Sequence, residues 1–204
     1  MEEVALRVPV GLDLDGTAWV RGMVRGVPAT VLYRLDQTEM ERRAGAGSGP
    51  VPSLEGLDVL MQLPLGLPVP RSVLPSADRR VLERLPDGCV EFAGDDVVRR
   101  ATRPLAVEAA AVSHRQWRRG LERAGVFGAY CTRLLALRGV PEDLAEAQVW
   151  AGYYGVGLVV RDGAHAVVVT EPKVFRPECV TAAGWLFTEQ VLALALTAGQ
   201  VPTG

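Results

Sequence analysis

The sequence predicts an α/β fold for residues 75–204, and three observations predict it. Short apolar runs alternate with segments whose apolar residues recur at helical spacing, the pattern of a sheet covered by helices. The run Pro104–Val112 is apolar at nearly every position, as a strand buried on both faces is. Two β-branched runs, Val156–Arg161 and Ala166–Thr170, flank Asp162 and Gly163, a hairpin turn signal.

Ahead of this domain, residues 1–45 read as a small β-rich module. Val4–Val10 is apolar with partial alternation, and Thr17–Val20 and Val27–Tyr33 follow glycine turns. Residues 46–74 read as a linker or irregular segment, rich first in Gly and Ser and then in Leu and Pro, with room for a short helix near Leu57–Leu63. From there the elements sharpen. Asp78–Leu85 is a short helix with Ser76 as a possible cap. Cys89–Phe92 and Val97–Arg100 are strands around Gly94, Asp95 and Asp96. Arg115–Tyr130 places Trp117, Leu121, Ala124 and Phe127 on one helical face, and Leu134–Leu137 is a strand. Pro141, Glu142 and Asp143 suit a helix start, and Gly155 suits its end. Thr181–Ala198 is a final apolar helix stopped by Gly199. The order from residue 77 is α-β-β-β-α-β-α-β-β-α.

The 204 residues carry a formal charge of −2, so no global field draws a polyanion, and nucleic-acid contact requires a local patch. Lys173 is the only lysine. Cys89, Cys131 and Cys179 lack metal-ligand spacing and read as free thiols in a reducing cytoplasm. Neither a secretory signal nor a membrane span is expected.

Two resemblances carry chemistry. Val10–Thr17, Val-Gly-Leu-Asp-Leu-Asp-Gly-Thr, resembles the first motif of the haloacid-dehalogenase superfamily, which would make Asp13 a nucleophile and Asp15 an acid/base in a Mg²⁺ phosphatase. The later motifs of that family are out of order here, and strands follow where a βαβ unit should. The stretch is therefore expected to be a hairpin turn.

The second resemblance covers residues 77–161. Asp96 heads one strand, Glu108 lies twelve residues on within the next, and the arginine- and tryptophan-bearing helix from His114 follows. In order and spacing this resembles the restriction-endonuclease-like, or PD-(D/E)XK, superfamily. The resemblance implies that Asp96 and Glu108 converge at a sheet edge to hold Mg²⁺ for phosphodiester hydrolysis. It also implies a lysine where Ala110 stands. Three explanations stay open: a natural pseudo-nuclease, a substitute basic group at His114 or Arg115, or a replacement that traps an inactive enzyme. Asp95 and Asp87 are alternative carboxylates to Asp96. Restoring a lysine at position 110 is expected to raise cleavage.

Arg99, Arg100, Arg103, Arg115, Arg118, Arg119 and Arg123 cluster around these strands and this helix, and arginine pairs bidentately with phosphate. DNA is thus the expected partner, with Trp117 placed to stack on a base or to anchor its helix. Trp150, Tyr153 and Tyr154 are expected to pack a helix on the sheet, and Trp185, Leu186, Phe187, Val191 and Leu194 to be buried. A DNA-interacting, catalytically impaired protein with a nuclease-like fold is the first expectation. A non-enzymatic subunit, meeting a protein partner through its N-terminal module or C-terminal helix, is the second.

Overall fold

The structure is a computed structural model describing residues 16–162 and 165–200. Residues 4–15, with the expected first strand and the Asp13–Asp15 motif, lie outside the described residues. The elements in order are β1 (Ala18–Val24), β2 (Val27–Leu35), α1 (Gln37–Ala46), α2 (Leu54–Gln62), β3 (Pro68–Pro70), α3 (Ser76–Leu82), β4 (Val90–Ala93), β5 (Asp96–Arg99), β6 (Leu105–His114), α4 (Trp117–Gly125), β7 (Thr132–Arg138), α5 (Leu144–Tyr154), β8 (Gly157–Asp162), β9 (His165–Thr170) and α6 (Ala182–Thr197). The protein is mixed α/β. No helix among the described residues is long and apolar enough to cross a membrane.

The chain divides into two compact units. The first comprises Met1–Arg34 and Val107–Pro177, the second Leu35–Ala106 and Glu178–Gly204. Each is therefore assembled from two separate chain segments, unlike the consecutive divisions at 1–45, 46–74 and 75–204 expected from the sequence.

The first unit is built on a six-stranded sheet in the order β1-β2-β6-β7-β8-β9. The N-terminal strands are its edge, not a separate module. Strands β6, β7 and β8 run parallel, and β9 returns antiparallel to β8. Side chains alternate across the pleat. Ala110, Val112 and His114 share one face with Arg133, Leu135 and Leu137. Helix α4 packs on this face, because a Cβ at Gly120 would lie 2.5 Å from a Leu135 methyl and 3.2 Å from the His114 Cβ. Helix α5 shares that side and is tied to α4 by the Trp117 indole N–H, which donates to Asp143 at 2.9 Å. The opposite face carries Leu32, Ala109, Ala111, Leu134 and Val159 as a buried cluster. Gly120 thus sets how closely α4 approaches the sheet. Gly120→Ala is expected to destabilise the fold by about 1–3 kcal/mol through overpacking against the wholly buried Leu135, read as a lowered unfolding midpoint in urea.

The second unit contains a three-stranded sheet, β3-β5-β4, with helices α1, α2, α3 and α6. Its core gathers Leu57, Leu60, Leu63, Leu82, Val97 and Trp185. The stripe on α6 is buried at Trp185, Phe187 and Val191, as its apolar spacing suggests. Helix α1 was not expected. Its residues are mostly polar, so hydrophobic period gives no signal, and its stability comes from Asp36, which caps the N–H of Glu39 at 3.0 Å, and from buried ion pairs. Ser76 does not cap α3; the capping position is Pro75, without a side-chain bond.

Candidate nucleic-acid interface

The residues of the expected nuclease site are not brought to one sheet. Asp96 begins β5, which pairs with β3 and β4 in the second unit. Glu108 lies on β6, whose neighbours are β2 and β7 in the first. The strand pairing that would set the two carboxylates side by side does not form. Asp95 and Asp87 belong to the second unit with Asp96.

Glu108 instead faces a cation, with Arg34 at 4.0 Å. Among the described residues, no group of three His, Cys, Asp or Glu gathers that could hold a metal ion. A carboxylate next to a guanidinium is a poor start for Mg²⁺, which takes oxygen ligands, so this donor set does not fit. Ala110 is 0% exposed, and its register partner on β7 is Arg133. A lysine at 110 would enter a closed, already cationic position with no second carboxylate on a neighbouring strand. His114 and Arg115 are no substitute base either. They stand six and seven residues along the chain from Glu108, about 20 Å at strand rise for the first. The His114 Nδ1 accepts the Gln116 N–H at 2.9 Å.

The arginine cluster read from the sequence separates in the same way. Arg99 is turned inward in the second unit. It donates to the carbonyls of Leu60, Leu63 and Ala101 and stacks 4.9 Å over Trp185, and burial pulls its pKa down. Arg100 is held by Glu91 through two bonds of 2.9 and 2.7 Å. Neither guanidinium is offered to phosphate. Arg118 in the first unit is also engaged. It binds both oxygens of Glu146 at 2.8 and 2.9 Å and Asp143 at 3.1 Å, and lies 4.1 Å over the Trp117 ring. Asp143 is held below the usual carboxylate range, first by the Trp117 N–H and then by Arg118. Arg115, Arg119 and Arg123 are exposed and make no ion pair among the described residues.

Of the two roles open to Trp117 the helix anchor holds, while the expectation for the α5 aromatics reverses. Trp117 is only 5% exposed, so it anchors α4 and is no stacking platform. The trio on α5 is the exposed one, with Trp150, Tyr153 and Tyr154 at 41%, 78% and 50%. Helix α5 meets the sheet through the small residues Ala147 and Ala151, both wholly buried, which leaves its large aromatics outside. Trp150 and Tyr154 stack at 5.8 Å with an interplanar angle of 21°, and Tyr153 meets both edge-on.

Between α4 and α5 runs a groove of about 500 Å³, within the range of ligand sites. Leu121, Trp117, Trp150 and Tyr154 line it, the Arg118–Glu146 pair stands at one end and Arg133 at the other. Arg133 donates to the Tyr154 carbonyl at 2.5 Å. Sequence reading missed Arg133, and also Arg138 and Arg161, because single arginines at strand ends carry no motif.

The thiols offer no nucleophile in this unit. Burial pushes Cys131 up to about 12. No family model, no curated protein and no solved structure matches the chain.

Proposed function

We propose that the chain is a non-hydrolytic nucleic-acid-binding protein that takes single-stranded DNA across α4 and α5. The observation that carries this reading is the exposed aromatic trio of α5, two of whose rings, Trp150 and Tyr154, line the groove beside α4, together with Arg115 just ahead of α4 and Arg119 and Arg123 on it, which have no acidic partner among the described residues. Unpaired bases stack on such rings, each contributing about 1–3 kcal/mol, while arginines track the phosphates. A duplex hides its base faces, so an aromatic-lined concavity favours the single strand over B-DNA.

The reading keeps the resemblance to the restriction-endonuclease-like superfamily for the β6-α4-β7-α5-β8 core and drops its hydrolysis. Support for dropping it comes from the placement of Asp96 and Glu108 on different sheets and from the closed site of Ala110.

Magnitudes follow from the ion pairs. Asp143, Glu146 and Glu122 dilute the positive field, so few phosphates are neutralised. Three free arginines at about −0.7 each give a log–log salt slope near −2 on single strands. Fluorescence anisotropy of a labelled oligonucleotide across a salt series checks this. The double variant Arg115→Ala, Arg119→Ala is expected to bring the slope to about −0.7. An unchanged slope in that variant contradicts the assignment.

A further inference from the structure

We propose that Arg138 and Arg161, with Ser113, form a binding site for a phosphate monoester dianion at the C-terminal ends of β6, β7 and β8. Arg138 and Arg161 are register partners on adjacent parallel strands, so their side chains leave the same face of the sheet side by side. Ser113 shares that face, and its hydroxyl accepts the Arg138 Nε–H at 3.2 Å. Like charges directly opposite on neighbouring strands oppose sheet formation. Among the described residues no carboxylate pairs with either guanidinium. A shared anion removes that repulsion.

The face leading to the pair is apolar, through Ala109, Ala111, Leu134 and Val159, and the arginines stand where it meets the loops. Ligands of parallel α/β sheets bind outside the carboxyl ends of the strands. The N-termini of α4 and α5 lie at this same end but over the other face of the sheet, and that of α5 carries Asp143 and Glu146, so the site stands on the two arginines and Ser113 alone. Two guanidiniums carry two positive charges, which matches a terminal phosphate at neutral pH and exceeds the single charge of an internal phosphodiester. The ligand chemistry stands without the single-strand reading. Only the assignment of the phosphate to a strand end, in place of a free nucleotide, rests on it.

Calorimetric titration of the intact chain with thymidine 5′-monophosphate and with thymidine tests the site. The monophosphate is expected to bind on the order of tenfold or more tighter than the nucleoside. Its advantage should grow as pH rises through about 6, where the second phosphate proton leaves. Arg138→Gln with Arg161→Gln should abolish the difference, and Ser113→Ala should reduce it with the sheet undisturbed. Equal binding of the two ligands by the parent, or an advantage that survives in the arginine variant, overturns the proposal. Oligonucleotides with and without a 5′-phosphate separate the sources. Preference for the phosphorylated strand assigns the site to strand ends. Monophosphate binding without that preference assigns it to free nucleotide and overturns the strand-end assignment. Monophosphate binding with no oligonucleotide binding sustains the site while sinking the single-strand reading.

Discussion

Glu189→Ala is expected to destabilise the protein by about 3–5 kcal/mol, the loss seen when one member of a buried ion pair is removed. Arg43 and Glu189 are 2% and 1% exposed. Arg43 donates to both Glu189 oxygens at 2.8 and 2.7 Å and to Glu39 at 2.7 Å. Glu189 also accepts the Val51 N–H at 3.0 Å and the Trp185 indole N–H at 2.8 Å. Alanine at 189 would leave a buried guanidinium half-compensated and two further donors without their acceptor. Replacing the pair together, as Arg43→Met with Glu189→Leu, should recover only the part of the loss due to the uncompensated guanidinium, because the Val51 and Trp185 N–H groups still lack their acceptor and the buried Glu39 keeps Arg42 alone. Urea unfolding of the parent, the single variant and the double variant reads both effects. A single variant within about 0.5 kcal/mol of the parent would contradict the role given to this network.

Acid should act on the same cluster. Burial raises the Glu39 pKa, but hydrogen bonds from Arg42 and Arg43 outweigh it and hold the group below its ordinary value. A depressed carboxylate contributes stability that is fully present above its unfolded pKa, about 4.3, and is lost as pH falls through the lower folded value.

The second large effect belongs to the aromatic groove. Trp150→Ala and Tyr154→Ala are each expected to weaken single-strand binding by about 1–3 kcal/mol, the worth of a stacked base. Both side chains are exposed, so the fold should persist. The salt slope separates this from an electrostatic loss. Removing an aromatic lowers affinity at every salt concentration and leaves the slope, whereas removing Arg115 or Arg119 flattens it. A slope that changes with Trp150→Ala would show that the ring acts through the arginines.

Much of the element order was legible. From Ser76 onward the observed α-β-β-β-α-β-α-β-β-α sequence is the one that hydrophobic periodicity, glycine turns and capping residues predict. Gly155 ends α5 in the left-handed conformation, as its position after the last apolar turn implies. Strand partners were not legible. The spacing of Asp96 and Glu108 suggests a local hairpin, yet β6 lies beside β2, across an excursion of some seventy residues that forms much of the second unit. Nothing in a strand's own residues names so distant a neighbour. The candidate site was legible only as a region. Helix α4 was correctly placed as arginine-bearing, but which arginines are free depends on Asp143, Glu146 and Glu91 finding Arg118 and Arg100 in space. The exposed face of α5 was misread for a related reason. Large aromatics ordinarily mark a buried face, and here two alanines take that place.

Binding isotherms for one oligonucleotide sequence, as single strand and as duplex, with the protein at low salt and Mg²⁺ present, decide whether the α4–α5 groove takes unpaired bases. The single strand is expected to bind more tightly and to emerge uncut. Duplex preference, absence of binding at low salt, or shortening of either strand would contradict it.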